Sequence, residues 1–217
     1  MTLGAWIERH GWLVAAFGAL TATAGNLGQL WVVNAARPQL IVPAPPRETI
    51  VFATIGGAVG IPLYGIGYYV RARQAWRNAS TRAAVVTAAG VAFAALGASV
   101  HTATGVLIAN DIGGIAGGLD PLQGVLSSGP LVLTLWGLAA AALLLAAISE
   151  ASLPQRPTAR VFNPLVLTLA FTAAAPVTGT PWRDFIGPAA VNIAHLVFFL
   201  RLGMHDRHRA GRHHQLL

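Results

Sequence analysis

The apolar run from Ala83 to Asn110 constrains the fold more than any other part of the sequence. A helix needs about 20 apolar residues to cross the hydrocarbon core of a bilayer, and this run is longer than that. It contains no charged residue, and its one ionisable residue is His101. We therefore expect a transmembrane helix here. A polar group inside such a helix is costly, so His101 needs a structural or chemical reason.

Five further segments meet or approach the same length. The six predicted spans are approximately Gly11–Ala36, Thr49–Val70, Arg82–Asn110, Gly124–Ser149, Phe162–Thr178 and Asp184–Leu202. The fifth is short and is broken by Pro176 and Pro181, so spans five and six also fit a tight helical hairpin. The sequence predicts an all-α polytopic membrane protein with a single transmembrane domain over residues 1–204. A basic tail rich in His and Arg follows over residues 205–217.

The first ten residues and Pro62 add detail to this prediction. Trp6, Glu8 and Arg9 indicate a short interfacial helix with an aromatic anchor. A signal peptide is the rival interpretation, but the leader has no net positive charge, so we expect an uncleaved first span. Pro62 should kink the second span, and the pair Gly56 and Gly60 should allow close helix packing.

The composition supports a membrane protein and removes several kinds of chemistry. Of all residues, 55% are hydrophobic and 10% are charged, whereas a soluble domain has about 25% charged residues. Lys and Cys are absent, which excludes lysine Schiff bases, disulfides, thiolate nucleophiles and Cys-ligated metals. The net charge of +7 comes from arginines beside the apolar spans. We attribute it to contact with anionic lipid and expect no nucleic-acid partner.

The distribution of arginine predicts the orientation. Eleven of the fourteen arginines fall on one side of the predicted spans, namely Arg9, Arg71, Arg73, Arg77, Arg82, Arg156, Arg160, Arg201, Arg207, Arg209 and Arg212. The other side has Arg37, Arg47 and Arg183. The positive-inside rule then places both termini in the cytoplasm of a multi-pass plasma-membrane protein.

Polar residues within the spans are the candidates for a functional site. At a rise of about 1.5 Å per residue, those of spans one, three and six share a level from the midplane outward. On span three, His101, Thr104 and Asp111 fall on one stripe, and on span six Asp184 and His195 are nearly eclipsed. The acids lie at the outer ends of the helices. This pattern predicts a pocket open to the outer face, with a histidine and asparagine floor and an acidic rim.

The predicted roles follow from the residue types. A carboxylic acid donates a proton, a neutral His accepts one, and aromatic faces stabilise a cation. The predicted catalytic residues are Asp111, Glu48, Asp184, His101 and His195. The predicted substrate-binding residues are Asn26, Gln29, Trp31, Tyr64, Tyr68, Trp136 and Asn192.

Structural roles remain open for the same residues. Acids at helix starts favour the helix dipole, and amides within spans tie helices together. No His-x-x-x-His or His-Glu-x-x-His spacing occurs, so we expect neither a metal nor another cofactor.

Several short motifs resemble an uncharacterised family of multi-pass bacterial membrane proteins. They are Leu153-Pro154, Phe162-Asn163-Pro164-Leu165-Val166-Leu167, Asn192-Ile193-Ala194-His195-Leu196 with Phe199, Val100-His101-Thr102 and Pro62-Leu63-Tyr64-Gly65. The resemblance covers about half of the chain and implies a fold but no activity. That family often has Gly-Asp in span one, whereas this chain has Gly25-Asn26.

In size and topology the chain is also similar to small membrane-bound terpene cyclases of actinobacterial and fungal pathways. This similarity implies an acid that protonates a prenylated substrate, and the Arg-only, Ala-rich composition suits an actinobacterium. The leading prediction is therefore an integral-membrane enzyme, a terpene cyclase or isomerase, acting on a lipophilic isoprenoid-type substrate. The alternatives are a non-catalytic protein that binds or transports a lipophilic ligand, and a structural partner of another membrane protein. The oligomeric state is left open.

Overall fold

The computed structural model describes residues 2–35, 46, 48–76, 79–110, 130–153, 160–178 and 182–214, and all regular structure in these ranges is helical. The α-helices are α1 (Leu3–Ala35), α2 (Thr49–Gly60), α3 (Tyr64–Ala75), α4 (Ser80–Asn110), α5 (Pro130–Ala151), α6 (Pro164–Ala174) and α7 (Trp182–His214). Two short 3-10 helices, Ile61–Leu63 and Ala175–Thr178, follow α2 and α6. The all-α prediction is confirmed over these residues.

Five segments in the described ranges are long and apolar enough to cross a membrane. They are Leu3–Val32, Thr49–Ala75, Ser80–Ala109, Thr134–Ala151 and Ile186–Met204. The fifth predicted span corresponds to a shorter apolar helix, Pro164–Thr178, which packs along α7 as the predicted hairpin requires. The described residues therefore contain five candidate spans and one shorter apolar helix. That the shorter helix also crosses the membrane is still a prediction.

The first helix differs from its prediction. The prediction of a separate interfacial helix before Gly11 is wrong, because α1 runs without interruption from Leu3 to Ala35. Glu8 lies on this continuous helix, and Arg73 Nε donates to its carboxylate at 2.9 Å. The helix thus extends beyond its apolar part and pairs with the end of α3. Other helices also overrun their predicted bounds, and α7 continues to His214, because hydrogen bonding along a helix does not stop where hydropathy falls.

Glycines bring α1 and α2 into backbone contact. A Cβ added at Gly18 would lie 2.5 Å from the carbonyl oxygen of Gly60, and one added at Gly25 would lie 2.5 Å from that of Ala53. No larger residue fits at either place. The packing role predicted for the small residues of span two is confirmed at Gly60, as expected where helices associate inside a membrane.

Pro62 divides the second span. It lies in the 3-10 helix Ile61–Leu63 that joins α2 to α3, so the α-helix is interrupted at Pro62, while the kink stays a prediction. Directly after it, Tyr64 and Tyr68 turn into the main core with no exposed surface. The core is formed mainly by α1, α3, α4 and α7, and its largest fully buried side chains include Phe199 and His195.

Candidate functional site

The centre of the bundle contains a hydrogen bond between Tyr68 of α3 and His195 of α7. His195 Nδ1 lies 2.7 Å from the carbonyl oxygen of Val191, one turn earlier in α7. A carbonyl only accepts hydrogen bonds, so Nδ1 carries the hydrogen and Nε2 of the neutral ring has a lone pair. The Tyr68 hydroxyl, 2.9 Å from Nε2, therefore donates to it. Both hydrogen-bonding positions of the imidazole are filled.

The same imidazole is enclosed by aromatic rings. Tyr64 stacks on one side with a centroid distance of 4.7 Å and an interplanar angle of 17°. Phe93 of α4 stacks at 5.1 Å and 21°. His195 is 0% exposed, so neither ring face nor ring nitrogen has room for another molecule.

A second polar pair lies beside the first. The Tyr64 hydroxyl donates to Asn192 Oδ1 at 2.8 Å, and Asn192 Nδ2 lies 3.3 Å from the carbonyl oxygen of Ala22. We refer to Tyr64, Tyr68, Asn192 and His195 as the central layer. The layer joins α3 and α7 by side-chain bonds and reaches the backbone of α1. One turn beyond Ala22 on α1, Asn26 Nδ2 donates to the carbonyl oxygen of Pro188 in α7 at 3.0 Å.

Another polar group, the Gln29 cluster, consists of Gln29, Thr54 and His101. His101 Nε2 lies 3.0 Å from the carbonyl oxygen of Ala53, which accepts its hydrogen. Gln29 Nε2 lies 3.2 Å from the carbonyl oxygen of His101, 3.1 Å from His101 Nε2 and 3.5 Å from Thr54 Oγ1. A Cβ added at Gly57 would overlap the imidazole. The cluster ties together α1, α2 and α4.

Two threonines of α4 near this cluster differ in their hydrogen bonding. The Thr102 hydroxyl donates to the carbonyl oxygen of Ala98 at 2.8 Å, the usual arrangement for Thr within a helix. Thr104 Oγ1 is buried and has no hydrogen-bond partner in the part of the chain that the structure describes. The neighbouring Gly105 faces Thr54 and Gln29, so Thr104 is adjacent in sequence to a residue that contacts the Gln29 cluster.

The opposite end of the bundle contains a buried ion pair, which sequence reasoning missed. Arg71 Nε donates to Glu150 Oε1 at 2.8 Å, and the two side chains are 7% and 2% exposed. Asn163 Nδ2 donates to Glu150 Oε2 at 2.8 Å and to the carbonyl oxygen of Ala147 at 2.9 Å, while its Oδ1 caps α6 by accepting from Leu165 N. We name Arg71, Glu150 and Asn163 the Glu150 cluster.

The sequence held a signal for this cluster. Asn163-Pro164 is a recognisable helix start, and Glu150 is an acid that directly follows a long apolar run.

The predicted site residues are thus divided among several places. Tyr64, Tyr68, Asn192 and His195 come together in the central layer, while Gln29 and His101 form the Gln29 cluster with Thr54. Trp31 and Trp136 are 38% and 51% exposed, respectively. Glu48 is exposed at the start of α2 and makes no side-chain capping hydrogen bond. Asp111 and the side chain of Asp184 lie outside the described residues, so the predicted acidic rim stays a prediction.

The described residues contain no group of three or more His, Cys, Asp or Glu side chains arranged to hold a metal ion. Comparisons of the chain with family models, with curated proteins and with solved structures give no match.

Proposed function

We propose that this protein is a non-catalytic integral membrane protein that binds a lipophilic molecule. The observation that carries the proposal is the state of His195, the histidine at the centre of the bundle. A general base needs a lone pair within hydrogen-bond reach of its substrate. The lone pair of His195 already accepts from Tyr68, and the Nε2–H of His101 links α4 to α2 by donating to the carbonyl oxygen of Ala53. Both side chains hold helices together, as polar residues do inside membrane proteins.

The unpaired hydroxyl of Thr104 supports a binding site near the Gln29 cluster. A buried hydroxyl without a partner destabilises a protein by about 1–3 kcal/mol, so such groups are retained where something else pairs with them. A lipophilic molecule with one polar group would supply that partner while its hydrocarbon part stays in the bilayer. Gln29 and His101 would then orient the helix that presents Thr104.

A matched pair of variants tests this proposal. Thr104→Val removes the unpaired hydroxyl, whereas Thr102→Val removes one that is bonded within its own helix. Detergent-purified protein would be titrated with a short-chain prenylated quinone and a prenylated indole, and binding followed by native mass spectrometry. We expect Thr104→Val to lose binding about tenfold and Thr102→Val to bind as wild type. Equal binding by both variants, or no binding by wild type to either probe, would refute the proposal.

Proton-initiated cyclisation or isomerisation of an isoprenoid-type substrate is a second proposal. It is favoured by Glu48, an exposed carboxylate that is not used for capping, on the helix that carries Thr54. This proposal expects product from the same probes, and loss of that product with retained folding in Asp111→Asn or His101→Ala. Mass spectrometry of the incubated probes separates the two proposals, since binding alone leaves the probe mass and retention time unchanged.

The number of membrane spans and the location of the termini are also part of the proposal. Six spans with both termini in the cytoplasm of a plasma-membrane protein account for the arginine distribution. Because the chain has no Cys, single cysteines can be introduced without background. We expect a membrane-impermeant maleimide on intact cells to label Glu48→Cys and to label Thr2→Cys and Ser152→Cys only after lysis. Labelling of Ser152→Cys on intact cells would overturn this orientation.

A further inference from the structure

Arg201 of α7 occupies an unusual position for a cation. It lies three residues before the end of the apolar segment Ile186–Met204, and its Nε is buried without a hydrogen-bond partner among the described residues. Its guanidinium lies over the ring of Phe162, 4.4 Å from the centroid. The cation–π contact fixes the plane of the guanidinium but satisfies none of its N–H donors.

The described carboxylates do not neutralise this cation. Glu150 is the buried acid at this end of the bundle, and its two oxygens are bonded to Arg71 and Asn163. Glu8 pairs with Arg73 on the surface. With no anion beside it among the described residues, a partly buried guanidinium next to an apolar segment is unfavourable, because its desolvation is not compensated.

We propose that Arg201 binds the phosphate group of an anionic phospholipid. Arginine presents parallel N–H donors that match two oxygens of one phosphate, and basic pockets between helices at a membrane surface recognise such headgroups. Arg160, two residues before Phe162 and exposed, adds positive charge at the same place. Exposed Leu200 and Met204 flank Arg201 along α7 and provide an apolar surface for the acyl chains. The site is separate from Thr104, which lies near the Gln29 cluster.

Native mass spectrometry with dioleoyl phosphatidylglycerol, with dioleoyl phosphatidylcholine as the comparison lipid, tests this site. We expect wild type to retain phosphatidylglycerol preferentially and Arg201→Gln to bind it about tenfold more weakly. Arg73→Gln is the matched control, since Arg73 lies at the same end of the bundle but is exposed and paired with Glu8. It should bind as wild type.

A second variant at Arg201 and a competition experiment with inorganic phosphate complete the test. Arg201→Lys retains the charge but not the planar guanidinium, so it should lose an intermediate amount of affinity for phosphatidylglycerol. This variant also tests the site if Arg201→Gln does not fold. Equal binding by wild type, Arg201→Gln and Arg201→Lys would overturn the proposal. Inorganic phosphate at millimolar concentration should not displace the lipid, because it lacks acyl chains; displacement would assign the site to free phosphate and overturn the lipid assignment. Thr104→Val should leave phosphatidylglycerol binding unchanged, so this proposal and the proposed function fail independently.

Discussion

Replacing Tyr68 by Phe removes one oxygen atom from the centre of the bundle and leaves almost every other contact in place. The ring keeps its edge-to-face packing against Phe199, at 6.1 Å between centroids. What disappears is the donor to His195 Nε2. The imidazole cannot turn to find another partner, because Tyr64 and Phe93 stack on it and Nδ1 is held by Val191.

The expected magnitude follows from this geometry. A buried acceptor left without a donor destabilises a protein by about 1–3 kcal/mol. Measured hydrogen bonds between membrane helices are weaker, averaging about 0.6 kcal/mol with a maximum near 1.7 kcal/mol. His195 is 0% exposed and packs against the rings of Tyr64 and Phe93, so we expect a loss of about 1.5 kcal/mol, which is roughly a tenfold change in the unfolding equilibrium.

A double-mutant cycle measures this bond directly. His195→Leu removes the acceptor together with the ring stacking, so it should be more destabilising than Tyr68→Phe alone. In the double variant neither polar partner remains, and the loss should be smaller than the sum of the two single losses by about 1 kcal/mol. The assay is reversible unfolding with sodium dodecyl sulfate in mixed micelles, followed by circular dichroism.

Tyr69→Phe is the control for this experiment. Tyr69 is adjacent in sequence, is half-buried, and lies on a different face of α3. We expect its substitution to change the free energy of unfolding by less than about 0.5 kcal/mol. If Tyr68→Phe were as stable as Tyr69→Phe, or if the cycle were additive, the assignment of a stabilising Tyr68–His195 hydrogen bond would be refuted.

Three further substitutions probe the packing, each read by the same unfolding assay. Glu150→Gln leaves the guanidinium of Arg71 buried without its carboxylate, and we expect a loss of about 3–5 kcal/mol; wild-type stability would show that the pair is not buried. Gly90→Ala places a methyl group against the buried ring of Tyr68, which should destabilise by about 1–3 kcal/mol. Gly137→Ala meets nothing within 4 Å and should be neutral or stabilising by up to about 1 kcal/mol because Ala favours helix; a loss there would indicate a contact at this surface.

Much of the polar interior was visible in the sequence, but its pairing was not. Gln29 and His101 stand out because each is polar within an apolar run. Their contact depends on which helices are neighbours and how each is rotated, and no local pattern contains that information. Depth estimates placed the two at one level, and the structure agrees, because Gln29 Nε2 donates to the carbonyl oxygen of His101 at 3.2 Å.

Glu150, in contrast to Gln29 and His101, does not stand out in the sequence as a buried polar residue. It follows an apolar run and precedes a connection with arginines, so its sequence context is that of a residue in the headgroup region. The structure makes it 2% exposed, because Arg71 of α3 and Asn163 before α6 both converge on its carboxylate. Burial of a charged residue depends on partners distant in the chain, and hydropathy averaged over a window does not register them.

The sequence by itself determined where the apolar helical segments lie, though not where each helix ends, because helix formation in a membrane depends on the length and hydropathy of contiguous residues and on breakers such as Pro62. It also determined which positions carry the polar groups. The tertiary structure decided what those groups do. Tyr68 and His195 are far apart in the chain, and packing of α3 against α7 turned two candidate catalytic or binding residues into one hydrogen bond. The physical reason is that the energy of a buried polar group is set by its partner, and partners are chosen when helices pack.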